Sequence, residues 1–320
     1  MKKTFLLLGT CLLMGQGILA TGLSPESAFL IPSEVAGVDN PALLLSGTWQ
    51  FRYAPKDKWN NVQVPGELAM QGYAIQHDTP YLYRKSFTLP ADYKGKRTIL
   101  RFDGVYSHAR LSVNGTFIRE HHGGFTRWET DITDHVRPGK KNEIQLEVTD
   151  RIDDISYASG YGHHPIGGIL RDVTIFALPA NCLYDFAAET HLDTLYRDAV
   201  LKVSYQGETT GNAEVAYTLT DPSGRNVPLA QSIFPLKKNE NSNELPVRNP
   251  LKWDAEHPNL YTLTVAIREE NKETTRFSKR IGFRDVRIVK DRMLVNGQPV
   301  KLRGACRHDI HPTLGRTTTA

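Results

Sequence analysis

General acid–base chemistry by two carboxylates requires that they converge on one bond, and the sequence places acids side by side at Asp153-Asp154 and Glu269-Glu270. Neighbours in an extended chain point to opposite faces, so neither pair is built to share one substrate, and both read as solvated side chains. Histidines are paired at His121-His122 and His163-His164. Imidazole is a common metal ligand, but a metal centre needs three or four donors in a recognisable pattern, and neither pair supplies one. Both pairs are therefore expected to be ordinary loop histidines, and no metal site is assigned. Of the three cysteines, Cys11 lies in a leader-like segment, which leaves Cys182 and Cys306. One disulfide is arithmetically available, but two distant cysteines do not make a disulfide framework, and two free thiols are expected.

The elements that must position these groups are bounded by composition. With 320 residues, the chain has room for about two domains. Hydrophobic residues at 40% and charged residues at 23% exclude disordered, collagen-like and coiled-coil classes. The 39 basic and 35 acidic residues nearly balance, which leaves no electrostatic footprint for nucleic acid. Residues 1–20 run from Met1-Lys2-Lys3 through the apolar stretch Phe5 to Leu13 and on to Ala20, the pattern of a secretory signal cut near Gly17 or Ala20. The mature chain is thus expected to be exported and periplasmic. A lipoprotein reading of Leu8-Gly9-Thr10-Cys11 is the weaker alternative, because the apolar run before it is short. No stretch of the chain is a convincing membrane span.

From Ser46 onward short β-rich runs are closed by turn residues, with no long helical periodicity, which predicts all-β sandwiches. Gly47 to Tyr53 alternates bulky and polar residues, and similar runs lie at Leu82 to Leu89, Thr98 to Phe102, Ala109 to Val113, Glu143 to Val148 and Val173 to Ala177. Asn114-Gly115 supplies the two positive-φ residues of a tight type I′ hairpin. Residues 45–180 therefore form one predicted sandwich. A second, at 181–283, has runs at Ala199 to Tyr205, Glu214 to Leu219, Leu260 to Ile267 and Thr274 to Ile281, with the polar segment Lys237 to Glu244 read as a separator. Its spacing suits an immunoglobulin-like sandwich. Residues 284–320 open with a further hairpin turned by Asn296-Gly297, then stop without a closing element, as a third domain begun and not finished.

Several phrases, in order, carry a resemblance to a known family. They are Val62-Gln63-Val64-Pro65-Gly66 after Trp59, Tyr83-Arg84-Lys85-Ser86-Phe87, Arg101-Phe102-Asp103-Gly104-Val105, Val113-Asn114-Gly115 and Gly167-Gly168-Ile169-Leu170-Arg171-Asp172-Val173. Further on come Trp253-Asp254-Ala255-Glu256-His257-Pro258-Asn259-Leu260-Tyr261, then Ile281-Gly282-Phe283-Arg284-Asp285-Val286, then Leu302-Arg303-Gly304-Ala305-Cys306-Arg307-His308-Asp309 with His311-Pro312. Together they resemble the non-catalytic front half of family 2 glycoside hydrolases, the β-galactosidase and β-glucuronidase family. Most of these residues also have plain structural roles, such as turn chemistry at Val64-Pro65-Gly66 and core packing at Trp253, Leu260 and Tyr261.

The resemblance implies a jelly-roll, galactose-binding-like sandwich, an immunoglobulin-like sandwich, and then the opening strands of a truncated (β/α)₈ barrel. It implies a retaining β-glycosidase whose two catalytic glutamates, about 5 to 5.5 Å apart in such enzymes, lie on barrel strands beyond residue 320, so that no catalytic residue is assigned here and this chain alone is expected to be inactive. His308, at the end of the first barrel strand, would contact the sugar at the cleavage subsite, with Arg307 and Asp309 bracing its turn. Two departures blur sugar preference. Where relatives with known preference carry an Asp before the Gly-Ile-X-Arg phrase, the nearest alignment gives Gly162 followed by His163 and His164, and where β-galactosidases carry an Asn it gives Thr79 beside Asp78. Asp78 and His164 are therefore the candidate substrate-facing loop residues. The resemblance implies a β-linked oligosaccharide or glycoside as substrate and no cofactor in this chain. For a full-length parent it leaves room for a divalent or monovalent cation and for a homo-oligomer. The alternative reading is a non-catalytic carbohydrate-binding or scaffold protein made of two β-sandwiches.

Overall fold

The computed structural model describes residues 27–151, 166–307 and 309–317. Among these, helix is confined to single 3₁₀ turns at Ala69–Gln71, Ala91–Tyr93 and Thr133–His135, and no helix is long and apolar enough to cross a membrane. The first sandwich faces a six-stranded antiparallel sheet against a four-stranded one. In spatial order the larger sheet runs Thr116–His122, His108–Val113, Lys141–Thr149, Pro80–Thr88, Gly47–Arg52 and Asn60–Val64. The smaller runs Trp128–Asp131, Arg97–Phe102, Val173–Leu178 and Ala42–Leu44. Alternate residues of the large sheet, among them Trp49, Phe51, Tyr83, Leu111 and Leu146, are buried between the two layers. Asn114 and Gly115 both take positive φ, as the hairpin requires, and the Asn114 side chain ties the turn down by donating to His135 O at 2.7 Å and accepting from Glu143 N at 2.9 Å.

In the second sandwich, Cys182–Leu192, Ala199–Glu208 and Asn239–Val247 pack over a sheet centred on Ala213–Thr220, Tyr261–Glu269 and Lys272–Ile281. The segment Lys237 to Glu244, expected to be a separator, instead enters a strand. Its period-two pattern is written with asparagines in place of apolar residues: buried Asn241 donates to Lys237 O and Asn239 O at 2.8 Å each, and Asn243 donates to the Tyr205 and Tyr217 hydroxyls at 3.2 and 2.8 Å. Glu269 ends a strand and Glu270-Asn271, both at positive φ, turn the hairpin that follows, so those two carboxylates are solvated as expected.

The third expected element differs more. Val286–Val289, Arg292–Val295 and Gln298–Pro299 form a small sheet, but residues 301–307 run exposed with no sheet partner. A strand is held in a sheet only by its neighbours, and among the described residues none pairs with residues 301–307.

The two central strands of the smaller sheet, Arg97–Phe102 and Val173–Leu178, are buried on both faces. Strand Val173–Leu178 has no exposed position, because its outer side meets Phe29, Cys182 and Tyr184, at the junction with the second sandwich. An ion pair lies there as well. Arg101 and Glu129, both under a tenth exposed, are bonded side chain to side chain; Glu129 accepts the Phe29 N–H at 2.7 Å while Arg101 donates to the Phe29 carbonyl. Arg97 adds a bridge between the sandwiches, donating to Asp131 at 2.9 Å and to Glu208 at 3.0 Å. Residues 27–44, which precede the first predicted run, thus belong to both units: Ala42–Leu44 pairs with Val173–Leu178, and Glu34–Val35 pairs with Lys272–Ile281.

Arg101→Met leaves the Glu129 carboxylate buried without its cation and should lower unfolding free energy by about 3–5 kcal/mol in urea titration. A loss no larger than the ~1 kcal/mol typical of an exposed pair would show the pair to be peripheral. Burial pushes the Cys182 thiol up to about 11, whereas Cys306 is exposed. Iodoacetamide at neutral pH should therefore alkylate Cys306 in the native protein and Cys182 only in denaturant, as read by peptide mass spectrometry.

Candidate functional site

At one end of the first sandwich, Gly66–Glu67, Gly168–Ile169 and Val105–Tyr106 form a small three-stranded sheet that gathers the loops. Its strands approach so closely that a Cβ on Gly168, at φ 142°, would collide with the Gly66 carbonyl oxygen. This explains the Gly167-Gly168 and Pro65-Gly66 phrases: both mark a backbone contact. Asp150, fully buried, fixes the loop before Pro80–Thr88. Its carbonyl accepts the Asp78 N–H at 2.8 Å, and its carboxylate lies 3.0 Å from His77 Nδ1 and accepts the Ile166 N–H at 3.0 Å. Asp78 sits at φ 56°, a conformation Asp tolerates better than most residues, with its half-exposed carboxylate 3.9 Å from Arg151 Nε.

The segment after residue 309 docks on the same end. Buried Glu67 accepts the Arg316 N–H at 2.7 Å, and Arg171 donates to the Arg316 carbonyl at 2.8 Å. Gly315, at φ 63°, is required there, since a Cβ would collide with the Glu67 carboxylate. Between the two lies a hollow of about 330 Å³, lined by Glu67, Met70, Tyr73, Ile75, Ile310 and Arg316. The loop that gives Tyr73 and Ile75 to this hollow carries Asp78 just beyond. Arg307 and Asp309, both exposed, pair at 2.7 Å across position 308.

Of the residues singled out from sequence, Asp78 falls on this loop face. His164 and His308 lie outside the described residues, as do His163, Gly162 and Asp153-Asp154. Sequence reasoning missed Glu67, His77, Asp150 and Arg316. Glu67 follows the Pro65-Gly66 phrase directly, so its neighbourhood was flagged, but nothing local announces a partner 249 positions away. His121 and His122, expected in a loop, belong to the strand Thr116–His122. The strand persists because His108 to Val113 pairs with it to the end. There the two separate: His121 stacks on Trp128 at 5.0 Å, while His122 faces His108 with ring centroids 4.3 Å apart. Burial, with help from nearby Arg119, pushes His121 down to about 4, so it is neutral at pH 7.

The loop face suits recognition better than bond cleavage. Glu67 and Asp150 are buried and committed to backbone donors, whereas the Asp78 carboxylate, 3.9 Å from Arg151 Nε, is half-exposed and within reach of a hydroxyl. Burial also pushes the Glu129 carboxyl up, but Arg101 clamps it at the sandwich junction, so this shift reflects packing and not a general acid.

Residues 31–179 match the sugar binding domain of glycosyl hydrolases family 2, and residues 182–284 match a further domain of glycosyl hydrolases family 2. A β-galactosidase of Priestia megaterium is 28% identical over 319 residues, covering 85% of this chain and 31% of that protein. A β-galactosidase of Thermoanaerobacter pseudethanolicus is 30% identical over 249 residues, covering 73% of this chain and 32% of that protein. The chain therefore spans about a third of the length of these relatives. Among solved structures, a β-glucuronidase from Ruminococcus gnavus in complex with D-glucuronic acid superposes with a TM-score of 0.73 at 25% identity, covering 91% of this chain and 54% of that one. With two consecutive domains matched and the fold shared throughout, the chain belongs to glycosyl hydrolases family 2.

Proposed function

We propose that this chain is the non-catalytic front portion of an exported, periplasmic β-glycoside hydrolase, which buttresses a catalytic domain and lends loops to its sugar site. The observation that carries this reading is the consecutive match of residues 31–179 and 182–284 to two domains of the family, within relatives of which the chain spans about a third. In the whole enzyme, two glutamates outside this chain would perform retaining double displacement on a β-linked oligosaccharide or glycoside. Asp78, His164 and His308 would face the sugar. Support for Asp78 is its half-exposed carboxylate on the loop beside the hollow, and support for position 308 is the Arg307–Asp309 pair that spans it. Export rests on residues 1–20 alone.

A second reading, a carbohydrate-binding module with no chemistry of its own, is favoured by the sugar-binding match over residues 31–179. The two separate in solution. The purified chain should release no 4-nitrophenol above buffer rates from the β-galactoside, β-glucuronide or β-mannoside; turnover would overturn the proposal. Calorimetric titration with galactose, glucuronic acid and lactose should show no saturable binding, because a sugar site made of one wall leaves most ligand surface in water. Saturable binding abolished by Asp78→Ala would establish the second reading instead.

A further inference from the structure

The edge hairpin of the large sheet carries a group that the sugar chemistry does not use. His108, Glu120 and His122 each offer a ligand atom, and these atoms lie within 4.8 Å of one another. Their convergence follows from a β-bulge. Between Phe117 and Arg119 the register with His108–Val113 slips, so that Glu120 stands opposite Arg110 and His122 opposite His108. A one-residue slip moves every later side chain to the other face, and here it brings Glu120 and His122 to the outer face that His108 and Arg110 share. A directly opposed pair plus a residue two positions along the same strand gives three neighbouring side chains on one surface.

We propose that this group binds a borderline divalent cation, Zn²⁺ foremost, through His108 Nε2, Glu120 Oε2 and a ring nitrogen of His122, with the fourth position left to water. Two donors on one tetrahedral Zn²⁺ stand roughly 3.3 Å apart, given Zn–N and Zn–O bonds of about 2.0–2.1 Å. His108 Nε2 and Glu120 Oε2 are already 3.3 Å apart. His108 is 91% buried on the 9% exposure of its side chain, so one donor is held by packing, while exposed Glu120 and His122 can close on the ion. The other Glu120 oxygen lies 2.7 Å from Arg110 Nε, an outer contact that orients the carboxylate. Arg110 also repels a cation, but Glu147, on the neighbouring strand, faces it at 3.9 Å and offsets part of that charge. Two imidazoles and one carboxylate are a poor set for Ca²⁺ or Mg²⁺, which take oxygen donors, and a good one for Zn²⁺. The bound ion would cross-link the edge strand Thr116–His122 to its neighbour.

The test is calorimetric titration of the untagged full chain with ZnCl₂, with a thermal melt as second readout. One saturable equivalent of Zn²⁺ is expected, together with a rise in melting temperature that CaCl₂ and MgCl₂ do not produce. His122→Ala and Glu120→Gln, both at exposed positions, should each weaken binding at least about tenfold, the low end even for outer-shell changes. His121→Ala, whose ring stacks on Trp128, should leave the affinity unchanged. Absence of Zn²⁺ uptake, or uptake of equal affinity in His122→Ala and Glu120→Gln, would overturn the proposal.

Discussion

The architecture turns on a single buried contact, the Arg101–Glu129 pair that grips both the N–H and the carbonyl of Phe29. A charge pair taken out of water gains little unless its remaining hydrogen-bonding capacity is met, and the Phe29 backbone meets it here. Phe29 is thereby held against Phe176 and Tyr184, which closes the outer face of the smaller sheet. With that face closed, Ile99, Phe176 and Leu178 can be apolar on the side where a free-standing sandwich would need polar residues. Arg97, shared between Asp131 and Glu208, then links the first sandwich to the second.

Much of this fold was legible in the sequence because its determinants are local. Asn114-Gly115 and Asn296-Gly297 name their turns, and the alternation from Gly47 to Arg52 names a half-buried strand. The failures share a physical cause: partners distant in sequence leave no local trace. Lys237 to Glu244 reads as a spacer because the inward positions Asn241 and Asn243 are asparagines, whose polarity is acceptable only where Tyr205, Tyr217 and the Lys237 carbonyl are waiting. Residues 27–44 carry no strong alternation, since their order comes from Arg276, Asp185 and Glu129 in far parts of the chain.

The site was legible to a lesser degree. The glycines of the Pro65-Gly66 and Gly167-Gly168 phrases sit at the loop end, where a close approach excludes a side chain. The carboxylates gave no such sign. Glu67, Asp78 and Asp150 are ordinary letters in sequence, and only burial separates the two that hold the loops from the one that faces water. Likewise His121 and His122 look equivalent as a pair, yet strand alternation sends one onto Trp128 and the other toward His108.

Strand Glu34–Val35 pairs with Arg276 and Thr275, and Ser33 donates its hydroxyl to the Arg276 carbonyl across 243 positions of sequence. A chain made from its amino end exposes this strand early and its partner late, so the edge must wait, unpaired, while nearly everything between is synthesised. Contacts of such separation form slowly, and unpaired strands are where nascent chains aggregate. The first sandwich can gather most of its own layers beforehand, but the Glu34–Val35 seam joining it to the second must wait for Thr275 and Arg276. The order of assembly is thus written into the topology: an early body, a late body, and a leading thread that locks them only when both exist.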